Sequence, residues 1–193
     1  GMSTLREVRE ALDAIRNEGI EKIILLHCVS CYPAKIESTN LRAMATLRQA
    51  FDLPVGLSDH SLSITVPVAA VALGACVIEK HFTLDKNLPG PDHRASLEPM
   101  ELKEMVRAIR DIEKALGDGV KRPMAEEEEV KRVARRSIVA RVDIPRGTTI
   151  TEDMLDIRRP GTGIEPRNLD IVIGKRAKRK IKSGELITFA KRR

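Results

Sequence analysis

Apolar positions follow two rhythms along this chain, and the change from one to the other divides it. Over residues 1–117, stretches with an apolar side chain every three or four positions alternate with short continuous apolar runs. Leu5, Val8, Leu12 and Ile15 share one helical face behind a Ser3-Thr4…Glu7 capping box, and Gly19 offers a stop. Residues 22–30 (KIILLHCVS) form an apolar run of strand length. Thr39-Asn40 offers an N-cap for a second helix carrying Leu41, Met44, Leu47 and Phe51. A second strand is predicted at 54–57, then a nearly uncharged segment that reads as a buried helix, then a third strand over 76–82. Ser96 and Glu98 introduce the clearest helix, with Leu102, Met105, Val106, Ile109, Ile112 and Leu116 on one face and Gly117 as its end.

Strand starts recur roughly every 20 to 35 residues, the length of a βα unit, which points to half of an α/β barrel or an open parallel sheet. Three parallel strands alone would leave two apolar edges unpaired. The expectation is therefore the C-terminal portion of something longer, or half of an assembly. Residues 118–135 read as a linker and a short helix with an acidic start at 126–129. From 136 to 193 the texture is β-rich. Short runs at 137–142, 171–173 and 186–189 alternate with turns such as Pro145-Arg146-Gly147 and Lys182-Ser183-Gly184.

Charge follows the same division. Residues 131–193 hold 18 Lys and Arg against 7 Asp and Glu, while residues 1–130 hold 16 against 21. The C-terminal domain is thus the basic one. It has a single aromatic residue, Phe189, and nucleic-acid binding normally adds stacking rings, so that class is disfavoured. Arg158-Arg159-Pro160-Gly161-Thr162-Gly163 forms a rigid turn offering guanidinium groups to a carboxylate or phosphate. The longest apolar run is too short to cross a bilayer, so a soluble, cytoplasmic protein is expected. Three cysteines, with Cys28-x-x-Cys31 as a lone pair, argue for a reducing compartment rather than a disulfide scaffold or a zinc site.

The candidate chemistry lies between Gly56 and His93. Asp59-His60, Glu79-Lys80-His81 and Asp92-His93 hold three of the four histidines, and the first two clusters follow directly on apolar runs. In parallel α/β architectures, ligands collect at the C-terminal ends of strands. Alternation puts Ser58 with His60 on one face, and Glu79 with His81 on one face, with Lys80 on the other. If the two strands are neighbours, His60 and His81 point at one centre. Two imidazoles with water and a substrate oxygen suit Mn²⁺ or a similar divalent ion. Glu79 can then serve as acid or base, Asp92 can orient a hydroxyl-rich ligand, and Ser30 and Tyr32 can face the same mouth. Asp85 and Lys86 read as solvated loop charges.

The segments LLHCVSCYPAK, NLRAM, VGLSDHS, ALGACVIEKHFTLDKNLPGPDHRASLEP and RRSIVARVDIPRGTTIT…RRPGTGI strongly resemble the sialic acid synthase family over essentially the whole chain. The resemblance implies the fold: the C-terminal portion of a TIM (β/α)₈ barrel (1–117), a linker and short helix (118–135), and a small antifreeze-like (SAF) domain (136–193). It implies condensation of phosphoenolpyruvate with N-acetylmannosamine, or a similar amino-sugar aldehyde, to a nine-carbon 2-keto acid. It matches His60 and His81 to metal ligands (Mn²⁺ first, Mg²⁺ or Co²⁺ as alternatives) and Ser58 to a phosphoenolpyruvate contact. Glu79 and Asp92 match residues near the reacting aldehyde and sugar, and Ser30 and Tyr32 match the sugar-side loop. Arg159 matches an arginine delivered to the partner subunit's active site in a domain-swapped homodimer. Relative to that family the chain begins just after the fifth barrel strand, so the 193-residue chain alone is expected to be inactive. The competing expectation, from another class, is a non-catalytic glycan-binding module acting through the basic C-terminal domain.

Overall fold

The computed structural model describes residues 1–188. The chain divides into two compact units, Gly1–Gly119 and Val120–Arg193.

The first unit runs α1 (Leu5–Asn17), β1 (Leu25–Cys28), α2 (Ala43–Phe51), β2 (Val55–Asp59), α3 (Thr65–Ala72), β3 (Ile78–Lys80) and α4 (Pro99–Leu116). Its three strands are parallel and lie in the order β1-β2-β3. All five residues of β2 are buried, whereas β1 and β3 are only partly so, as a central strand between two edges requires. Gly56 explains how β2 fits between them. A methyl group there would run into the Val77 carbonyl oxygen and come 2.7 Å from Leu26 Cδ2.

The predicted helices form, and only α2 starts later than expected. Thr4 and Glu7 make the capping box of α1 reciprocally. Thr39 and Asn40 do not cap α2, as the sequence led one to expect. Thr39 Oγ1 instead donates to the Ile36 carbonyl, closing a 3₁₀ turn over Ile36–Ser38, and Asn40 takes a positive φ of 41°. Helix α2 therefore starts at Ala43, with no side-chain cap. In α4, Glu98 is the N-cap, in a capping box with Glu101, and Pro99 follows at the first helical position. Lys86, read as a solvated loop charge, is about a third exposed and is also paired. Its ammonium meets Glu101 at 2.5 Å and its N–H donates to Glu98 Oε1, which pins the loop after β3 to the start of α4.

Met44, Val55, Leu57, Val66 and Ala70 form one core, where α2 and α3 cover the sheet. Leu97, Met105 and Ile109 form a second, in which α4 packs against Ile64, Val68 and Val71. Helix α3 is apolar on nearly every side, in keeping with its position between the sheet and α4.

The second unit opens with α5 (Glu127–Ala134), followed by β4 (Ser137–Ala140) paired antiparallel with β5 (Leu155–Arg158). Isolated bridges Val139↔Leu186, Ile144↔Ile181 and Thr149↔Arg176 join the loops around a core of Ile138, Ile144, Ile150, Leu155, Val172, Ile181 and Ile187. Residues 171–173 are not a strand. Ile171 and Val172 belong to a one-turn helix, α6 (Leu169–Val172), that continues a 3₁₀ turn begun by Pro166 and buries Val172 while Ile171 stays exposed, and Ile173 follows its end. Phe189, the end of the third β-prone run, lies outside the described residues. No described helix is long and apolar enough to cross a membrane.

Candidate functional site

The site grows from the register of three strands. Leu57↔Ile78, Ser58↔Glu79 and Asp59↔Lys80 are partners across β2 and β3. Partnered residues in a sheet share a face and successive ones alternate. Ser58 and Glu79 therefore point one way and Asp59 and Lys80 the other, and the next residues, His60 and His81, return to the first face.

The side chains bear this out. Ser58 Oγ donates to Glu79 Oε1 at 2.7 Å. The rings of His60 and His81 lie edge to face, 5.2 Å between centroids. Tyr32, from the loop after β1, stacks on His60 at 4.1 Å and meets His81 edge-on at 5.4 Å. Tyr32 is 52% exposed, so this three-ring cluster sits at an open mouth.

His60 is held on every side. Its Nδ1 lies 2.9 Å from the Val29 carbonyl, and a carbonyl can only accept, so Nδ1 carries the hydrogen. With the hydrogen on Nδ1, Nε2 is the nitrogen whose lone pair a ligand can use, an orientation set from outside the ligand shell in the manner of metal-binding histidines. The Cys28 sulfur stands 3.8 Å from the same nitrogen, and the His60 carbonyl accepts from Ala34 N–H. The three cysteines are free thiols.

Asp92 reaches His81 from the long loop after β3. Its carboxylate is 3.8 Å from His81 Nδ1, beyond direct hydrogen-bond length. The Asp92 carbonyl accepts from Ala95 N–H and from Ser96 Oγ, which fixes the turn carrying it. His93 turns away and meets Thr83 Oγ1 at 2.7 Å. Ser30 is exposed at the end of β1, 4.0 Å from the Cys28 sulfur. Arg159 belongs to the second unit, where its Nε donates to the Ala134 carbonyl.

The first unit thus brings together Tyr32, Ser58, His60, Glu79, His81 and Asp92. No three His, Cys, Asp or Glu among the described residues enclose a metal position, so His60 and His81 form an open pair. One pair of residues escaped the sequence reading. Lys80 Nζ meets Asp59 Oδ2 at 2.6 Å with both side chains almost wholly buried. The signal was present: Ser-Asp-His at 58–60 and Glu-Lys-His at 79–81 are polar triplets in matching order, 21 positions apart.

The chain is similar over its whole length to proteins of known kinds. It is 48% identical to N,N'-diacetyllegionaminic acid synthase of Legionella pneumophila, covering 98% of this chain and 54% of that protein. It is 40% identical to pseudaminic acid synthase of Campylobacter jejuni, covering 97% and 54%. Among solved structures, N-acetylneuraminic acid synthetase of Leptospira borgpetersenii matches with a TM-score of 0.61 at 42% identity, over 67% of this chain and 45% of that one. The chain spans about half the length of the curated relatives it matches. Residues 135–191 match the SAF domain and residues 1–121 match the NeuB family, and the chain accordingly belongs to the NeuB family.

Proposed function

We propose that this chain is the C-terminal portion of a (β/α)₈-barrel synthase with its SAF domain. In this reading it works in the condensation of phosphoenolpyruvate with an open-chain amino-sugar aldehyde to a nine-carbon 2-keto acid and phosphate. The observation that carries the reading is the convergence of His60, His81 and Tyr32 above the Ser58–Glu79 hydrogen bond, at the C-terminal ends of parallel strands. The relatives' names supply the reaction class, since they are synthases of three such sugar acids.

In the reaction, C3 of phosphoenolpyruvate attacks the aldehyde carbon, whose oxygen takes up a proton. Water then adds at the former C2, and the resulting tetrahedral carbon expels phosphate. His60 and His81 are the residues that would hold a divalent ion, Mn²⁺ or alternatively Mg²⁺ or Co²⁺. When bound it would supply Lewis-acid polarisation of the aldehyde oxygen. Two imidazoles fit such an ion, with coordination positions left for substrate. Glu79 is exposed at the mouth, one Oε accepting from Ser58, and its carboxyl group is the acid or base for the aldehyde-derived oxygen. Ser58 orients Glu79 and contacts phosphoenolpyruvate. Asp92, with Ser30 and Tyr32, orients the sugar hydroxyls. Arg159 positions the N-acetyl end of the sugar in the partner's site of a domain-swapped homodimer, contributing orientation rather than chemistry. The enzyme is cytoplasmic in this reading.

A chimera tests this directly. The chain replaces the matching segment of the Legionella legionaminic acid synthase, and phosphate release from phosphoenolpyruvate is followed with the amino sugar present. Activity that His81→Ala and Glu79→Gln each lower at least 100-fold is the expected result. A folded chimera whose activity ignores both substitutions overturns the assignment. On the chain alone, calorimetry with Mn²⁺ should show binding that His60→Ala and His81→Ala each abolish.

A further inference from the structure

We propose that the buried Asp59–Lys80 ion pair is the positioning device of the two-histidine site, locking the ends of β2 and β3 together one residue before His60 and His81. The inference rests on the reading of those histidines as a ligand pair, and it concerns what makes their rings converge.

The two side chains are 1% and 2% exposed and meet at 2.6 Å, on the face of the sheet opposite the rings. Asp59 and Lys80 are the last registered partners of the two strands. The pair also captures Ser61. Lys80 Nζ donates to the Ser61 carbonyl at 2.5 Å, Asp59 Oδ1 accepts from Ser61 N–H at 2.9 Å, and Asp59 Oδ2 accepts from Ser61 Oγ at 3.1 Å. His60 is therefore bracketed in sequence by two residues tied to the same lysine, and His81 directly follows that lysine. Each member of the ion pair is the chain neighbour of one ring, so a shift in either strand end must move one ring against the other.

Stability does not account for the pair. Apolar side chains of similar volume at such a place are commonly as stable or more so, because removing two charges from water costs about as much as their attraction returns. A buried ion pair does, however, tolerate few geometries, since the lysine must meet both the carboxylate and the Ser61 carbonyl. That selectivity suits a site in which metal affinity depends on where two imidazoles stand, and outer partners of metal ligands commonly alter affinity 10- to 100-fold.

The test replaces the pair without leaving a buried charge, as Asp59→Leu/Lys80→Met in the 193-residue chain. Three quantities are read: thermal melting, Mn²⁺ affinity by calorimetry, and ring spectra by nuclear magnetic resonance. The last reports the Nδ1–H tautomer of His60 and the Tyr32–His60 ring contacts, and needs no metal. The expected variant melts within a few degrees of the parent and keeps its Met44–Val66 core contacts. It loses the Tyr32–His60 ring contacts and binds Mn²⁺ about 10- to 100-fold more weakly. A folded double variant with unchanged ring contacts overturns the proposal. If the parent itself binds no Mn²⁺, the ligand reading fails, and the ring contacts still decide whether the pair positions them. Should the apolar pair fail to fold, Asp59→Asn/Lys80→Met, which keeps the Asp59 shape and leaves no buried charge, asks the same question. Altered ring contacts support the inference, and unaltered ones sink it.

Discussion

At the scale of single residues, hydroxyl groups placed between two backbone partners hold both units' loops. Ser137 is wholly buried at the start of β4. Its Oγ donates to the Pro160 carbonyl at 2.7 Å and accepts from Gly163 N–H at 2.9 Å, so one hydroxyl ties down both ends of the turn that follows Arg159. Ser137→Ala would take a partner from the half-buried Gly163 N–H and from the carbonyl of the exposed Pro160, which water can reach, at a cost of about 1 kcal/mol. A denaturant melt should show that loss, and a melt unchanged within error would mean the turn finds other partners. His60 and His81 were legible in the sequence because each follows a short apolar run of strand length. Lys80 was legible only as facing away from them. Its partner Asp59 looked like part of a histidine–carboxylate group because sequence adjacency hides the alternation of faces. Asp92 could be named but not located, since its reach to His81 is fixed by hydrogen bonds from Ala95 and Ser96 to its carbonyl.

At the scale of elements, β2 is the strand everything else depends on, and Gly56 is its narrowest point. The Val77 carbonyl that an added methyl group would strike already accepts from Leu57 N–H at 2.9 Å, so it cannot retreat without breaking the ladder. Gly56→Ala should therefore destabilise the first unit by about 2–3 kcal/mol, in the range of overpacked cores. Chemical denaturation of the variant beside the parent measures it, and a loss under about 0.5 kcal/mol would show that the sheet can open locally. Helix α4 carries a pH dependence of its own. Lys86, and the Glu98 N–H, hold the Glu101 carboxyl below its ordinary range. A carboxyl depressed in the folded state adds stability above the unfolded value, and that part is lost as pH falls through the lower folded value. The side chain is 38% exposed, so solvent screening keeps the effect small. Glu101→Gln should flatten the acid limb of a stability–pH curve, and an identical limb would sink the assignment. The periodicity of Leu102, Met105 and Ile109 made α4 readable, as did the capping residues before it. By contrast, the short alternating run Leu155-Asp156-Ile157-Arg158 forms β5, whereas the β-prone run at 171–173 forms no strand. Three adjacent branched residues favour a strand locally, but the turn begun at Pro166 carries Ile171 and Val172 into α6, where one turn buries Val172, and Ile173 ends it.

At the scale of the whole molecule, the change in composition near residue 130 and the division into cores coincide. The hydrophobic clusters built on Met44 and Leu97 draw on the first unit alone, and that built on Ile138 draws on the second alone. The parallel sheet of the first unit has only three strands, with β1 and β3 partly exposed at its edges. The second unit has its own buried centre, in which Ile138 and Ile144 are fully buried and bridges close the loops on all sides. A domain of that size lies near the lower limit for folding without a metal or disulfide, so what decides is whether the core is continuous. Among the described residues, nine buried side chains spread from Ile138 to Ile187 meet there, all of them from the second unit. A chain of residues 120–193 alone should therefore fold cooperatively, with amide shifts at Ile138, Ile144 and Val172 matching those of the 193-residue chain. A collapsed, poorly dispersed spectrum would show instead that this core needs residues 1–119 to form. In that case Arg159, which the proposed function sends to a partner's site, could not be carried there by a unit that folds before it docks.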